Sequence, residues 1–284
     1  MFRPNRNILN RLSRLNIAQK VAVTRTVTTT TIAQKTAWTS SKANRIVAYA
    51  TLGAAGLATA SYFNLTNPVY NEAPPSPEVV EDPATKLLFP VYLETDSVKK
   101  QLIGLGVRTV SFMNMNVYVV GMYMVPGDIS QLAKLSKWKN FDKSKILESD
   151  ECAEEFLEQP FDLTIRLVPS RSTNTQHLRD GFVRILTQRM RDQDLTEDEE
   201  KVILKAIQEF KSNFVSMRVK KDSEFIFTKT REGGLKMIYE GRHLGTVEDS
   251  WLAKNFFMCY LNSQSPSSQA ALNDFASGFE KLLK

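Results

Sequence analysis

The two histidines, His177 and His243, are the side chains best suited to proton transfer or metal ligation near neutral pH. His177 falls in the first turn of a helix predicted from residue 174 or 175 to about 191, and Gly181 follows four residues later on the same face. Because Gly181 has no side chain, the neighbouring imidazole has room for a flat ligand beside it. Imidazole is a common axial ligand of haem iron. The alternative is a solvated or N-cap histidine. We interpret His243 as an exposed loop residue.

The cysteines and one glycine pair could also suggest chemistry, but their spacing does not support it. Cys152 and Cys259 lack the spacing of a zinc site or a disulfide framework, which favours core positions for both. The segment Gly104-Leu-Gly106 lacks the third glycine of a dinucleotide-binding motif, because position 109 is Thr. The residues that follow it favour a strand rather than a helix, so we discount nucleotide binding.

Charge is distributed unevenly along the chain. Residues 1–71 contain nine Lys or Arg and no Asp or Glu. Removing these nine charges from the formal net charge of +6 leaves −3 for residues 72–284, which argues against nucleic-acid binding. A basic, acid-free, Ser/Thr-rich start is typical of a mitochondrial presequence, which we predict over 1–45. The alternative is a disordered basic tail.

An uncharged stretch of eighteen residues, 46–63, follows the basic segment. Eighteen residues is close to the minimum for crossing a bilayer, so we predict a single transmembrane helix over 46–66 in the mitochondrial inner membrane. A buried helix or an extension of the presequence is the alternative. Residues 67–85 read as a Pro-rich linker. The basic N-terminal flank then predicts a domain in the intermembrane space.

Residues 86–284 are predicted to fold as an α+β domain. Alternating apolar residues predict paired strands over 102–125, a strand over 161–168 and a hairpin over 224–240 that turns at Gly233-Gly234. Helices are predicted over about 175–191, 196–217, 249–261 and 267–283. The second of these helices starts with a capping box and carries the apolar stripe Val202, Ala206, Phe210 and Phe214. We read the acidic stretch 142–160 as a solvated helix or an inserted loop.

Three parts of the sequence form a recognisable combination: Gly104-Leu-Gly-Val-Arg-Thr with Val117-Tyr-Val-Val-Gly-Met-Tyr, Ile165-Arg-Leu-Val-Pro with His177-Leu-Arg-Asp-Gly-Phe, and Tyr239-Glu-Gly-Arg-His-Leu-Gly-Thr. In this order they resemble the chalcone isomerase superfamily, and most closely its fungal mitochondrial members. The resemblance implies an open-faced β-sandwich, in which a layer of helices covers a curved antiparallel sheet. It also implies a ligand cleft between the sheet and the helices.

The resemblance transfers only part of the plant enzyme's catalytic set to this chain. Arg108 matches the arginine that steadies anionic oxygen, whereas Tyr118 stands at the position of the catalytic threonine and is expected to narrow the cleft. His177 falls near the catalytic tyrosine. Asp180 and Arg184 stand where Lys and Asn are expected, and Ser250 aligns loosely with a substrate-contacting Thr or Ser. Exchanging Lys for Asp would repel an anionic transition state, so chalcone cyclisation is not expected.

Other members of the superfamily in plants bind fatty acids and keep an arginine that can pair with the carboxylate. Arg108 beside Tyr118 fits that pattern, because a guanidinium and a phenol offer several donors to one carboxylate. The alternative for Arg108 is an ion pair at a strand end. If the ligand is haem, Arg108 or Arg184 could pair with a propionate.

The sequence therefore predicts a non-isomerase protein that holds a planar or apolar acidic ligand. Haem ranks first, with His177 as its iron ligand, and a fatty acid ranks second. The other hypotheses are a residual isomerase, a haem-dependent redox enzyme, or a scaffold whose cleft has no ligand.

Overall fold

A computed structural model describes residues 78–110 and 115–284. The predicted presequence and the predicted membrane helix lie outside the described residues. Among the helices of the described part, none is long and apolar enough to cross a bilayer.

The strands come first in the chain and return near its end. They are β1 (Val79–Glu81), β2 (Leu88–Pro90), β3 (Tyr92–Thr95), β4 (Val98–Val110), β5 (Met115–Met124), β6 (Leu163–Pro169), β7 (Thr173–Asn174), β8 (Arg218–Val219), β9 (Phe225–Lys229), β10 (Leu235–Tyr239) and β11 (Arg242–Val247).

Seven helices and one short 3₁₀ turn (Ser136–Trp138) complete the described part. The helices are α1 (Pro126–Leu132), α2 (Ser144–Leu147), α3 (Glu151–Glu158), α4 (Thr175–Arg191), α5 (Glu197–Ser212), α6 (Ser250–Leu261) and α7 (Gln269–Leu282).

The central element is an antiparallel sheet of seven strands in the order β11-β10-β9-β6-β5-β4-β3. Alternate side chains of its strands point to opposite faces, so the sheet contributes to two apolar clusters. The larger cluster lies between the sheet and the helices, and the smaller one packs under β1 and β2. The predicted α+β class, a curved antiparallel sheet under a layer of helices, is confirmed.

The predicted strands and most helix ends are also confirmed. Asn174 caps α4, and Thr196 with Glu199 forms the predicted capping box of α5. The end of α5 was predicted too late, because the helix stops at Ser212 and the chain then runs to β8 beside β7. Of the predicted stripe, Ala206, Phe210 and Phe214 are buried as expected, whereas Val202 is 59% exposed and Ile203 and Ile207 are buried in addition.

The acidic stretch 142–160 is amphipathic rather than fully solvated. Its helix α3 turns Cys152, Ala153, Phe156 and Leu157 inward, and these four side chains are buried. The glutamates of α3 occupy the opposite face. An apolar stripe at helical spacing therefore outweighs the high acid content of this segment.

The folded part begins before residue 86, where we predicted its start. Val80 in β1 pairs with Phe89 in β2, and Phe89 is fully buried. A Cβ added at Gly121 would lie 2.7 Å from the Phe89 ring, so this strand packs directly on the sheet. The predicted Pro-rich linker thus contains residues that belong to the fold.

Helix α7 packs unusually close to β4 because both elements use glycine at the contact. A Cβ added at Gly106 would lie 2.4 Å from the Ala271 nitrogen, and one added at Gly278 would overlap the Ile103 carbonyl oxygen. The Leu105 amide donates a hydrogen bond to the Asp274 carboxylate at 2.7 Å. The glycines at 104 and 106 therefore serve helix packing, which agrees with discounting the dinucleotide motif.

Candidate functional site

Arg108 is held in place by two buried tyrosines. Arg108 on β4 and Tyr118 on β5 are direct cross-strand partners. The Arg108 Nη1 donates to the Tyr118 hydroxyl at 2.8 Å, and the Tyr118 and Tyr260 hydroxyls are 2.9 Å apart. Tyr260 comes from α6, so this chain of hydrogen bonds joins the sheet to the helix layer. These hydrogen bonds fix the Arg108 guanidinium between the sheet and the helix layer.

The partners of Arg108 are neutral. Burial raises the pKa of Tyr118, although the nearby guanidinium acts in the opposite direction. Burial also raises the pKa of Tyr260 well above its usual value. Both phenols therefore keep their protons at neutral pH and do not cancel the charge of Arg108. The Arg108 Nε is buried and has no hydrogen-bond partner among the described residues.

A cleft of about 750 Å³ opens beside Arg108. One wall is α4, which contributes Arg184, Ile185, Gln188 and Arg189, followed by its C-cap residue Asp192. The opposite wall is the loop that follows α6, where Asn262 and residues 264–267 lie. The cleft thus brings together two of the predicted site residues, Arg108 and Arg184.

Arg189 is a cleft residue that the sequence analysis missed. Its Nε donates to the Asn255 side-chain oxygen at 2.9 Å, and Asn255 is only 2% exposed. Helical periodicity from Arg184 could have found Gln188 and Asp192, which lie four and eight residues further along α4. Arg189 lies on the adjacent stripe, so only the position of the α6 side chains reveals its role.

Tyr118 lies beneath the cleft rather than at its edge. The ring is 2% exposed and its centroid lies 6.5 Å from that of Phe182 on α4. Phe182 in turn packs on Phe227 and Phe256 with centroids 5.6 and 5.1 Å away. We expected Tyr118 to narrow the cleft, but it does not line the cleft; its ring packs below Arg108 within this aromatic core instead.

His177 does not share the cleft of Arg108. It is exposed on the first turn of α4 and lines a separate depression of about 530 Å³ together with Arg171, Asn174 and Arg218. Its backbone N–H is capped by the Asn174 side chain at 2.8 Å. A Cβ added at Gly181 would meet no atom within 4 Å. The arrangement of Arg108 and His177 around one guest, which we expected, is therefore wrong.

The residues around His177 do not fit a haem. A porphyrin needs an apolar slot, whereas this depression is open and lined by polar and cationic side chains. The described residues also contain no group of three or more His, Cys, Asp or Glu that could hold a metal ion. Haem at His177 stays a prediction without structural support.

Ser250 lies outside this cleft, whereas Cys259 lines it as an unreactive core residue. Ser250 is exposed at the start of α6 and lines a separate hollow with Trp251 and Lys254. Cys259 touches the cleft, but burial raises the pKa of its thiol to about 12 and the thiol donates to the Asn255 carbonyl oxygen at 3.1 Å. Its assignment as a core residue rather than a nucleophile is confirmed by its 3% exposure.

Fold and site together form an antiparallel sheet under helices with a cationic cleft at their junction. The chain belongs to the chalcone isomerase-like family, whose model matches residues 98–276. The resemblance found in the sequence is therefore confirmed.

Fungal mitochondrial proteins are among the similar sequences. The chain is 29% identical over 257 residues to altered inheritance of mitochondria protein 18, mitochondrial, of Vanderwaltozyma polyspora, with 76% of this chain and 79% of that protein covered. It is 24% identical over 199 residues to the protein of the same name from Debaryomyces hansenii, with 63% of this chain covered. The chain spans 66% of the length of that Debaryomyces relative.

A plant protein is similar in both sequence and structure. The chain is 26% identical over 203 residues to fatty-acid-binding protein 1 of Arabidopsis thaliana. This match covers 70% of this chain and 69% of the plant protein. The crystal structure of an Arabidopsis fatty-acid binding protein superposes with a TM-score of 0.60 at 25% identity. That match covers 72% of this chain and 99% of the plant chain.

Proposed function

We propose that this chain is a mitochondrial protein that binds an apolar molecule with an acidic end, and that a fatty acid is the first candidate. The observation that carries the proposal is Arg108, a half-buried cation whose buried Nε lacks a partner among the described residues. Similarity to a protein named as fatty-acid-binding supports the same class of ligand.

A carboxylate is the group that Arg108 lacks. A buried charge without a counter-ion is unfavourable, and a neutral phenol compensates it only in part. Hydrogen bonds between a guanidinium and a carboxylate are about twice as strong as those between neutral groups. Ligand binding would therefore supply the negative charge that the fold does not provide.

The apolar part of the ligand has its first contacts in the same cleft. Ile185, Cys259 and Pro266 line it beside the polar groups. Below them lies the aromatic core around Tyr118 and Phe182, which is closed in this structure. A long acyl chain would thus either lie along the cleft or displace some of these rings.

The mitochondrial location rests on composition and on relatives. Residues 1–71 carry nine cations and no acid, and the fungal relatives are named as mitochondrial. We retain the inner membrane and the helix over 46–66 as part of the proposal. Fractionation of mitochondria with carbonate extraction tests it, since a single-pass protein stays in the membrane pellet.

Binding of a fluorescent fatty acid to the delipidated full chain tests the ligand class. We expect wild-type protein to bind it, and Arg108→Gln to lose at least about tenfold in affinity, the effect of one charge-assisted contact. The free energy of unfolding should change by less than about 1 kcal/mol, because Tyr118 and Tyr260 still bond each other. Arg242→Gln, an exposed change on β11, is the matched control.

Two outcomes would contradict the proposal. The first is a wild-type protein that yields no acyl chain on lipid extraction and binds no fatty acid. The second is equal affinity in wild type and Arg108→Gln, which would place the binding site elsewhere in the molecule.

A further inference from the structure

The cleft beside Arg108 contains more positive charge than one carboxylate can neutralise. Three of its lining residues are arginines, Arg108, Arg184 and Arg189, and one is an acid, Asp192. Three positive charges against one negative charge leave a net charge of +2. The Asp192 carboxylate already accepts a hydrogen bond from the Gln188 side-chain amide at 2.8 Å.

None of these three arginines forms an ion pair in the described part of the chain. Three other arginines do: Arg166, Arg179 and Arg231 pair with Glu224, Asp180 and Asp128. The remaining described arginines, Arg171, Arg191, Arg218 and Arg242, form no ion pair within the described residues either, but all four are exposed to solvent, whereas Arg108 and Arg189 are half-buried.

Neutral groups orient two of the three guanidinium groups. Arg108 is bonded to a phenol, and Arg189 is bonded to the buried amide of Asn255. An amide or phenol oxygen fixes the direction of an arginine without cancelling its charge. Arg184 lies on the exposed rim of the same cleft. The cleft is therefore preorganised for an anion with more than one negative charge.

We infer, on the basis of the function proposed above, that the preferred ligand carries a phosphate monoester head group on a single acyl chain. A phosphate monoester has a charge of about −1.5 to −2 at pH 7 and three acceptor oxygens. Several arginines can share these oxygens through their planar donor groups. A carboxylate offers only one charge and two oxygens, which leaves one of the cleft cations uncompensated.

Calorimetric titration of the delipidated full chain tests this inference. The probes are oleoyl lysophosphatidate, oleate and glycerol 3-phosphate, which separate the phosphate from the acyl chain. We expect lysophosphatidate to bind about tenfold more tightly than oleate, consistent with one further partly desolvated charge interaction. Glycerol 3-phosphate should bind far more weakly than lysophosphatidate, because it has no apolar part.

Variants on α4 test which arginines produce the preference for lysophosphatidate over oleate. Arg184→Gln and Arg189→Gln should each reduce the lysophosphatidate preference to about threefold or less, with a smaller change in oleate affinity. Arg191→Gln is the matched control, because Arg191 is exposed on the same helix and does not line the cleft. The Arg191→Gln variant should keep the wild-type preference for lysophosphatidate over oleate.

The possible failures are distinguishable. Oleate affinity equal to or above that of lysophosphatidate overturns the phosphate inference and leaves the proposed function intact. Glycerol 3-phosphate affinity equal to that of lysophosphatidate overturns the acyl-chain assignment. If neither oleate nor lysophosphatidate binds, the proposed function itself fails.

Discussion

Lys100 and Arg108 lie eight residues apart on β4, and the protein treats these two cations in opposite ways. The Lys100 side chain is 1% exposed and its Nζ lies 2.7 Å from both the Asp162 carboxylate and the Thr164 hydroxyl. Thr164 continues the network to Thr228 at 2.9 Å. Arg108 has only a phenol at its Nη1 and, within the described residues, an Nε without a partner.

The difference separates a cation that the fold itself pairs with a carboxylate from one that it leaves without a counter-ion among the described residues. Lys100 has its counter-ion within the fold, so its network is complete without any ligand. Arg108 is half-buried, its Nε is buried, and its only hydrogen-bond partner among the described residues is a neutral phenol. We therefore expect changes around Lys100 to affect stability and changes around Arg108 to affect affinity.

The largest expected effect comes from Asp162→Ala. This change leaves Lys100 buried without a carboxylate, which should lower the free energy of unfolding by about 3 kcal/mol. Chemical denaturation of the full chain measures it. Glu158→Ala, which removes the exposed partner of Lys254, is the control and should cost less than about 0.5 kcal/mol. A loss below about 1 kcal/mol for Asp162→Ala would remove the proposed contrast.

Tyr118→Phe should have an intermediate effect on both properties. The change deletes the oxygen that binds Arg108, so the free energy of unfolding should fall by about 1 kcal/mol and ligand affinity about threefold. Tyr260→Phe is the matched variant, because its hydroxyl reaches Arg108 only through Tyr118. An affinity loss that is larger in Tyr260→Phe than in Tyr118→Phe would contradict the assigned order of contacts.

The smallest expected effect is a pH dependence that Lys100 contributes. Burial lowers the pKa of Lys100, although Asp162 acts in the opposite direction. The unfolded chain therefore binds more protons than the folded chain between the lowered pKa and the usual one. The free energy of unfolding should rise with pH in that window, by at most about 1.4 kcal/mol per pH unit.

Lys100→Met tests this pH dependence, because it removes the titrating group while keeping an apolar side chain at the buried position. Its unfolding free energy should increase less than that of wild type as the pH rises toward the usual lysine pKa. Lys205→Met, at an exposed position of α5, should keep the wild-type slope. Equal slopes in wild type and Lys100→Met would contradict the expectation.

Local chemistry explains which elements the sequence could predict. The capping residues Asn174, Thr196 and Asp249 each accept a backbone hydrogen bond at the start of their helix, and such signals are readable from neighbouring residues. The early strand β1 was missed because Val79 and Val80 follow a proline-rich segment and owe their order to pairing with β2. Val80, for example, pairs with Phe89, nine residues later, and such a pairing contact is not visible in the residues of the strand itself.

The candidate site could be predicted only in part for the same reason. Arg108 was identified by its resemblance to a family motif, and Arg184 by its position on the same helix as His177. The helix spacing that relates His177 and Gly181 is correct, but the first turn of α4 lies away from the cleft. Arg189 depends on Asn255, sixty-six residues further along the chain, which no local pattern reveals.

The close contact between α7 and β4 has a consequence for biosynthesis. The hydrogen bond from Leu105 to Asp274 joins residues 169 positions apart, so β4 leaves the ribosome long before its covering helix exists. At about 5 to 20 residues per second, that delay is roughly 10 to 30 s. During this time the glycine-containing face of β4 has no native cover. A nascent chain of this protein should therefore need chaperone protection until its last helix has been made.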